Sequence, residues 1–164
     1  MRSARFLFLS ALFILFLSGC DAFQKGVSTE GIPQVNDFEL ESLSGSRVSL
    51  SDYRGKKSVL LVFWTTWCPY CRFALNSLKD ERRYFNDRGV ELLAINVGES
   101  LQKVTGFVEG AGIDFTVLLD RNSQVSDNYD VLGVPTYFLI GKFGKVVFSG
   151  NRFSKIKLQE LNLE

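Results

Sequence analysis

An α/β fold, with a central mixed β-sheet flanked by helices, is what this 164-residue sequence predicts. Three observations predict it. A continuous apolar run at 58–64, "SVLLVFW", gives way to a segment of helical period at 69–88. A second such run at 90–97, "VELLAINV", precedes another helical segment at 101–110. Two late runs, 135–140 and 145–150, are separated only by the Gly141–Gly144 turn and lead into a terminal helix. Strands interleaved with helices, ending in a hairpin, put helices on both faces of one sheet.

Composition agrees with one ordinary soluble domain: 46% hydrophobic and 23% charged residues. A net charge of +1 gives no reason to expect a nucleic acid partner. The sequence contains no histidine. That excludes Ser-His-Asp and Cys-His nucleophile pairs and removes the commonest metal ligand. The chemistry falls to cysteine, carboxylate, lysine, tyrosine or backbone.

The first segment is separate from the domain. Arg2 and Arg5 precede an apolar run from Phe6 to Leu17, followed by the small residues Ser18 and Gly19. A short basic region, a short apolar region and small residues make a secretory signal over 1–19. The run is too short to span a bilayer, which needs roughly 20 residues. "LSGC", Leu17–Cys20, resembles the lipobox of bacterial lipoproteins. That resemblance implies acylation of Cys20 and its exposure as a new N-terminus. An ordinary cleaved signal with an idle thiol is the alternative. Residues 20–32 are polar, small and without period, and read as a tether to the domain at 33–164.

Within the domain, "FELESLSGSRVSL" alternates around Ser44-Gly45, as a hairpin extension does. The run at 58–64 suits a strand covered on both faces. Over 69–88, Cys71, Ala74, Leu78 and Phe85 form one helical stripe with Leu75 beside it, and Gly89 caps the end. Residues 115–119 read as a short strand and 123–130 as a short helix. Ile156, Leu158 and Leu161 mark the terminal helix.

Two of the three cysteines, Cys68 and Cys71, form "CPYC" where the strand at 58–64 meets the long helix. Residues three apart share a helix face, so the two sulfurs can join with little backbone movement. Unpaired N–H groups and the positive end of the helix dipole favour a thiolate at Cys68. Pro69 suits the first helical turn, where its missing N–H costs nothing. The arrangement predicts a Cys68 thiolate that attacks a disulfide, and a better-shielded Cys71 that resolves the mixed disulfide. A redox-active Cys68–Cys71 disulfide then stands where other enzymes keep a cofactor, and no metal is expected. Zinc needs two further ligands that the chain does not place nearby. A purely structural disulfide closing so small a loop stabilises little. A peroxidase is a further reading, since Thr65 stands three before Cys68.

"FWTTWCPYC", "GVPT" and the N-terminal "LSGC" together resemble the membrane-anchored thioredoxin-like proteins of the TlpA and ResA type, over roughly residues 33–162. The resemblance implies a thioredoxin-like fold. It also implies that Trp67 shields the pair, that Tyr70 and Pro69 tune it, and that Pro135 is a cis proline with the Val134 backbone beside it for an extended substrate. Position alone leaves Pro135 a plain turn proline. The resemblance further implies a monomer held by lipid on the outer face of a bacterial cytoplasmic membrane. It would reduce disulfides of extracytoplasmic proteins, apocytochrome c among them, and be recharged by a membrane electron-relay reductase. Disulfide oxidase or isomerase activity is an alternative. A non-catalytic peptide-binding module is another. Two departures leave the proton of Cys71 without an owner. Thioredoxins carry an aspartate where this chain has Val62, and ResA-type reductases carry a glutamate where it has Ala74. Glu99, in the loop after the strand at 90–97, is the candidate acceptor, against an exposed loop glutamate with no role. Phe73 falls off the apolar stripe, either as a substrate contact or as a partly buried aromatic.

Overall fold

The structure, a computed structural model, describes residues 36–161. The expected signal segment 1–19, Cys20 and the tether 20–32 lie outside the described residues. The elements run β1 Glu39–Ser42, β2 Arg47–Ser49, β3 Ser58–Trp64, α1 Pro69–Asn86, β4 Val90–Val97 and α2 Leu101–Ala111. They continue through β5 Thr116–Asp120, α3 Gln124–Asn128, β6 Thr136–Ile140, β7 Val146–Gly150 and α4 Lys155–Glu160. All strands join one seven-stranded sheet in the order β2-β1-β5-β4-β3-β6-β7.

β3 lies inside the sheet, between β4 and β6, because its run Val59–Trp64 is wholly apolar. All of its residues are buried. It pairs in parallel with β4 and antiparallel with β6. Alternate side chains then feed two cores. Leu60, Val62 and Trp64 meet Leu75, Leu78 and Phe85 of α1 and Val104 of α2. Val59, Leu61 and Phe63 meet Phe38, Leu50, Val125 and Tyr129 on the other face. Phe85 is 0% exposed, so truncating it to Ala would cost about 3–5 kcal/mol.

α1 starts where its sequence permits. Cys68 is the N-cap in extended conformation, and Pro69 takes the first helical position. The helix ends ahead of Gly89, whose φ of +68° suits a residue without a side chain. The Gly89 carbonyl then accepts from Ser58 N at 3.0 Å, tying the end of α1 to the start of β3. The buried stripe is Cys71, Leu75, Leu78 and Phe85, while Ala74 is only half-buried.

The expected N-terminal hairpin extension is present and joins the main sheet: β1 pairs with β5 and carries the sheet outward by two strands. Other features were not expected from the sequence. Between β2 and β3 lies a short 3-10 turn, Leu50–Tyr53, which buries Leu50. In α4 only Leu158 is buried, and Ile156 is 63% exposed, because so short a helix offers one face to the core. Among the described residues no helix is long and apolar enough to cross a membrane.

Candidate active site

The loop Thr65–Trp67 links the C-terminal end of β3 to the start of α1, and the site is built around it. Thr66 is held from two sides. Glu99, after β4, accepts the Thr66 amide on Oε2 and the Thr66 hydroxyl on Oε1, both at 2.7 Å. Arg72, one turn into α1, donates from Nε and Nη2 to the Thr66 carbonyl at 3.1 and 3.0 Å. Asn96 Nδ2 donates to Glu99 at 2.7 Å and Lys103 approaches it at 2.6 Å. Burial alone would raise the Glu99 carboxyl; the bonds from Asn96, Lys103 and Thr66 outweigh that and hold it below its ordinary value.

With the loop fixed, Cys68 is placed at the helix start. Its sulfur accepts the Cys71 amide at 3.3 Å, as a helix N-cap does. Its thiol donates to the Val134 carbonyl at 3.5 Å. The two sulfurs are not joined in this structure and lie 2.7 Å apart. Cys68 is 4% exposed and Cys71 is 0% exposed, so the first thiol lies deeper than its expected accessibility suggests. Burial pushes the Cys71 thiol up to about 12, and the hydrogen bond to Cys68 adds to this. It remains protonated throughout the physiological range.

The Val134–Pro135 bond is cis. It sets the Val134 carbonyl beside Cys68 on one wall of an open groove. Tyr70, Phe73, Leu132 and Tyr137 also line that groove. Tyr70 is 77% exposed and Phe73 75%, so Phe73 is not the partly buried aromatic that its sequence position also permitted. Trp67 is itself mostly exposed.

A family model for the AhpC/TSA family matches residues 33–149. The chain belongs to the AhpC/TSA family. Among curated relatives, this AhpC/TSA-family chain is 45% identical to thiol-disulfide oxidoreductase ResA of Bacillus subtilis over 111 residues, 68% of this chain. That stretch spans 62% of the relative's length. The ResA of Bacillus cereus is 31% identical over 154 residues, covering 90% of this chain and 88% of that one. A crystal structure assigned as thiol:disulfide interchange protein DsbE from Chlorobium tepidum superposes with a TM-score of 0.70 at 30% identity. It covers 79% of this chain and 92% of its own. The fold is thioredoxin-like.

The geometry of this AhpC/TSA-family site gathers Cys68, Cys71, Pro69 and Val134 at one point, with Tyr70 and Pro135 on the groove. Glu99 is placed elsewhere. It is neither an exposed loop residue nor turned to Cys71: its side chain is 7% exposed and its oxygens are engaged by Thr66, Asn96 and Lys103. Sequence reasoning missed Arg72 and Tyr137. Arg72 follows the second cysteine directly, which gives no hint that its fork turns back to a carbonyl. Tyr137 stands two residues after Pro135, and its place depends on the register of β6 against β3.

Proposed function

We propose that this domain is a thiol-disulfide oxidoreductase working through Cys68 and Cys71. The observation that carries it is the meeting of two thiols in the first turn of α1, beside an open groove edge. Cys68 Sγ, poised at the helix start, attacks a substrate disulfide; one substrate sulfur leaves as a thiolate and a mixed disulfide remains. Cys71 Sγ attacks the Cys68 sulfur, the second substrate sulfur departs reduced, and the Cys68–Cys71 disulfide forms. An extended substrate segment lies along the groove and pairs with the Val134 backbone. Tyr70 and Pro69 set the potential of the pair, and Trp67 limits access to it. No metal and no cofactor beyond this disulfide enters the reaction.

The finer reading assigns disulfide-bearing extracytoplasmic proteins as substrates, apocytochrome c among them. A membrane electron-relay reductase restores the dithiol. Residues 1–19 are a signal removed on export. Cys20 carries lipid, residues 20–32 are the tether, and 33–164 is a monomeric working domain on the outer face of the cytoplasmic membrane. The resemblance of "LSGC" to a lipobox and the ResA relatives support this reading. Three measurements test it. The reduction potential decides direction: a value near that of thioredoxin, about −270 mV, fits a reductase, and one near about −120 mV reverses the flow. Cys68→Ser abolishes exchange; a variant that keeps full function points to a binding module instead. Mass analysis of the membrane fraction reports acylation at Cys20.

A further inference from the structure

The end of the sheet remote from Cys68 carries a surface that disulfide exchange does not use. Val59 at the start of β3 pairs with Ile140 at the end of β6. The β6–β7 turn, 141–145, therefore lies beside the chain that enters β3, 51–57. The opposite end of β3, from which Cys68 follows, is about 20 Å away along the strand. The two loops are tied together: Gly55 N donates to the Lys142 carbonyl at 2.8 Å. Arg54 lies against Gly144, where an added side chain would meet its guanidinium at 3.5 Å. The turn itself is tight, with Gly144 N bonded to the Gly141 carbonyl at 2.8 Å. It holds Phe143 outward, 74% exposed.

Around Phe143 stand Arg54, Lys56, Lys142 and Lys145, all exposed. None of them forms an ion pair among the described residues. Lys56 bonds the Asp52 backbone carbonyl at 2.8 Å, which leaves its charge in place. The Asp52 carboxylate turns back to the Ser49 amide at 2.9 Å. At the same end of the sheet Glu91 is held by Lys57, and Asp87 by Arg83. A single exposed apolar side chain is ordinary. An aromatic at the tip of a tight turn, ringed by cations that no carboxylate neutralises, has the chemistry of a membrane interface. The ring suits the headgroup layer and the cations suit lipid phosphates. A purely acidic surface matches the charges and leaves the ring in water.

We propose that the loops 51–57 and 141–145 dock this domain on an anionic phospholipid surface, with Phe143 entering the headgroup layer. The proposal goes beyond the exchange reading and takes from it only that the chain works at a membrane. Docking at this end points Cys68 and its groove away from the lipid, toward the aqueous space where an extended protein chain reaches them. Each Lys or Arg at an anionic surface strengthens binding about fivefold. An anchor raises the local concentration of the domain at the bilayer, and the patch selects which end faces it.

The test uses the full chain reconstituted in vesicles of phosphatidylcholine alone, or of seven parts phosphatidylcholine to three parts phosphatidylglycerol. Hydrogen exchange is read by mass on peptides covering 51–57 and 141–146. The expected result is exchange slowed about fivefold or more on the anionic vesicles, and restored in about 0.5 M NaCl. The opening of α1, Tyr70–Phe73, exchanges equally on both lipids. Lys142→Gln combined with Lys145→Gln removes at least half of the slowing, and so does Phe143→Ser alone. Peptides of β3, protected in both variants, show that the fold is kept. Equal exchange on the two lipids, or the same slowing over the whole surface, overturns the proposal. Slowing that soluble polyglutamate reproduces on phosphatidylcholine vesicles overturns it too, by assigning the patch to an acidic chain. The intact mass of the same sample reads acylation at Cys20. A chain without the acyl group that still shows the slowing upholds docking and removes the anchor.

Discussion

Glu99 grips Thr66 twice, at the amide and at the hydroxyl, with 2.7 Å to each. Those two residues come from loops after neighbouring parallel strands. The carboxylate therefore fixes the approach to Cys68 from β4. Replacing it by Ala leaves the buried Thr66 amide without a partner, at a cost of about 1–3 kcal/mol. Glu99→Gln keeps one acceptor and loses part of that. Because the folded carboxyl titrates below its ordinary value, its stabilisation is present above the unfolded value of about 4.3 and is lost as pH falls through the folded value. Urea melts at neutral and acid pH check this: the wild-type chain loses more stability in acid than Glu99→Gln. The Cys71 titration stays where it is in both, since Glu99 does not face that thiol.

Arg72 closes the same clamp from α1. Its fork makes charge-assisted bonds to the Thr66 carbonyl, and its guanidinium lies 5.7 Å from the Phe107 ring. Arg72→Ala removes both contacts and is expected to cost about 1.5–3 kcal/mol. Arg72→Lys recovers only part, since an ammonium lacks the fork. The functional readout is the rate of mixed-disulfide formation at Cys68. It falls in Arg72→Ala, partly recovers in Arg72→Lys, and an unchanged rate in both removes Arg72 from the site.

Cys71 predicts an alkaline weakness of the reduced protein. Its folded titration lies near about 12, whereas an unfolded thiol titrates near about 8.5. Between those values the unfolded chain has released a proton that the folded chain still holds. Stability of the reduced form therefore falls as pH rises through that window, by at most about 1.4 kcal/mol per pH unit from this group. Cys71→Ser flattens the slope in denaturant melts at pH 9 and 10, conditions set by those same titrations. Alkylation at neutral pH marks Cys68 first and reaches Cys71 only on unfolding. Rapid labelling of Cys71 in the native chain contradicts this.

What was legible in the sequence follows from period. β3, β4 and α1 declare themselves because seven or more residues repeat one pattern, and the Cys68–Cys71 pair is placed by the junction of β3 with α1. Features that depend on pairing between distant segments were hidden. The hairpin's union with β5 rests on two register contacts, Glu41↔Leu119 and Ser42↔Leu118. The burial of Glu99 depends on β4 ending level with β3, which sets its carboxylate under the Thr66 amide. Tyr137 reads locally as one more strand aromatic, and only its register with Val62 brings it to the Cys71 face. The 3-10 turn at Leu50–Tyr53 has too few residues to show a period at all.

Leu132 and Phe73 predict how substrate size is felt. Leu132 is fully exposed and Phe73 is 75% exposed, and both line the groove beside Val134 and Pro135. Neither supports the core, so Leu132→Asp and Phe73→Ser are each expected to change stability by no more than about 0.5 kcal/mol. A protein substrate lying along the groove buries these side chains, and each lost apolar contact weakens binding by about 1–3 kcal/mol. The expected signature is a raised KM for a disulfide-bonded protein such as insulin. Turnover of a small disulfide, which reaches Cys68 without spanning the groove, stays constant. Equal effects on both substrates would mean that these residues act on the cysteines themselves, and a protein KM that does not move would place the substrate on another face.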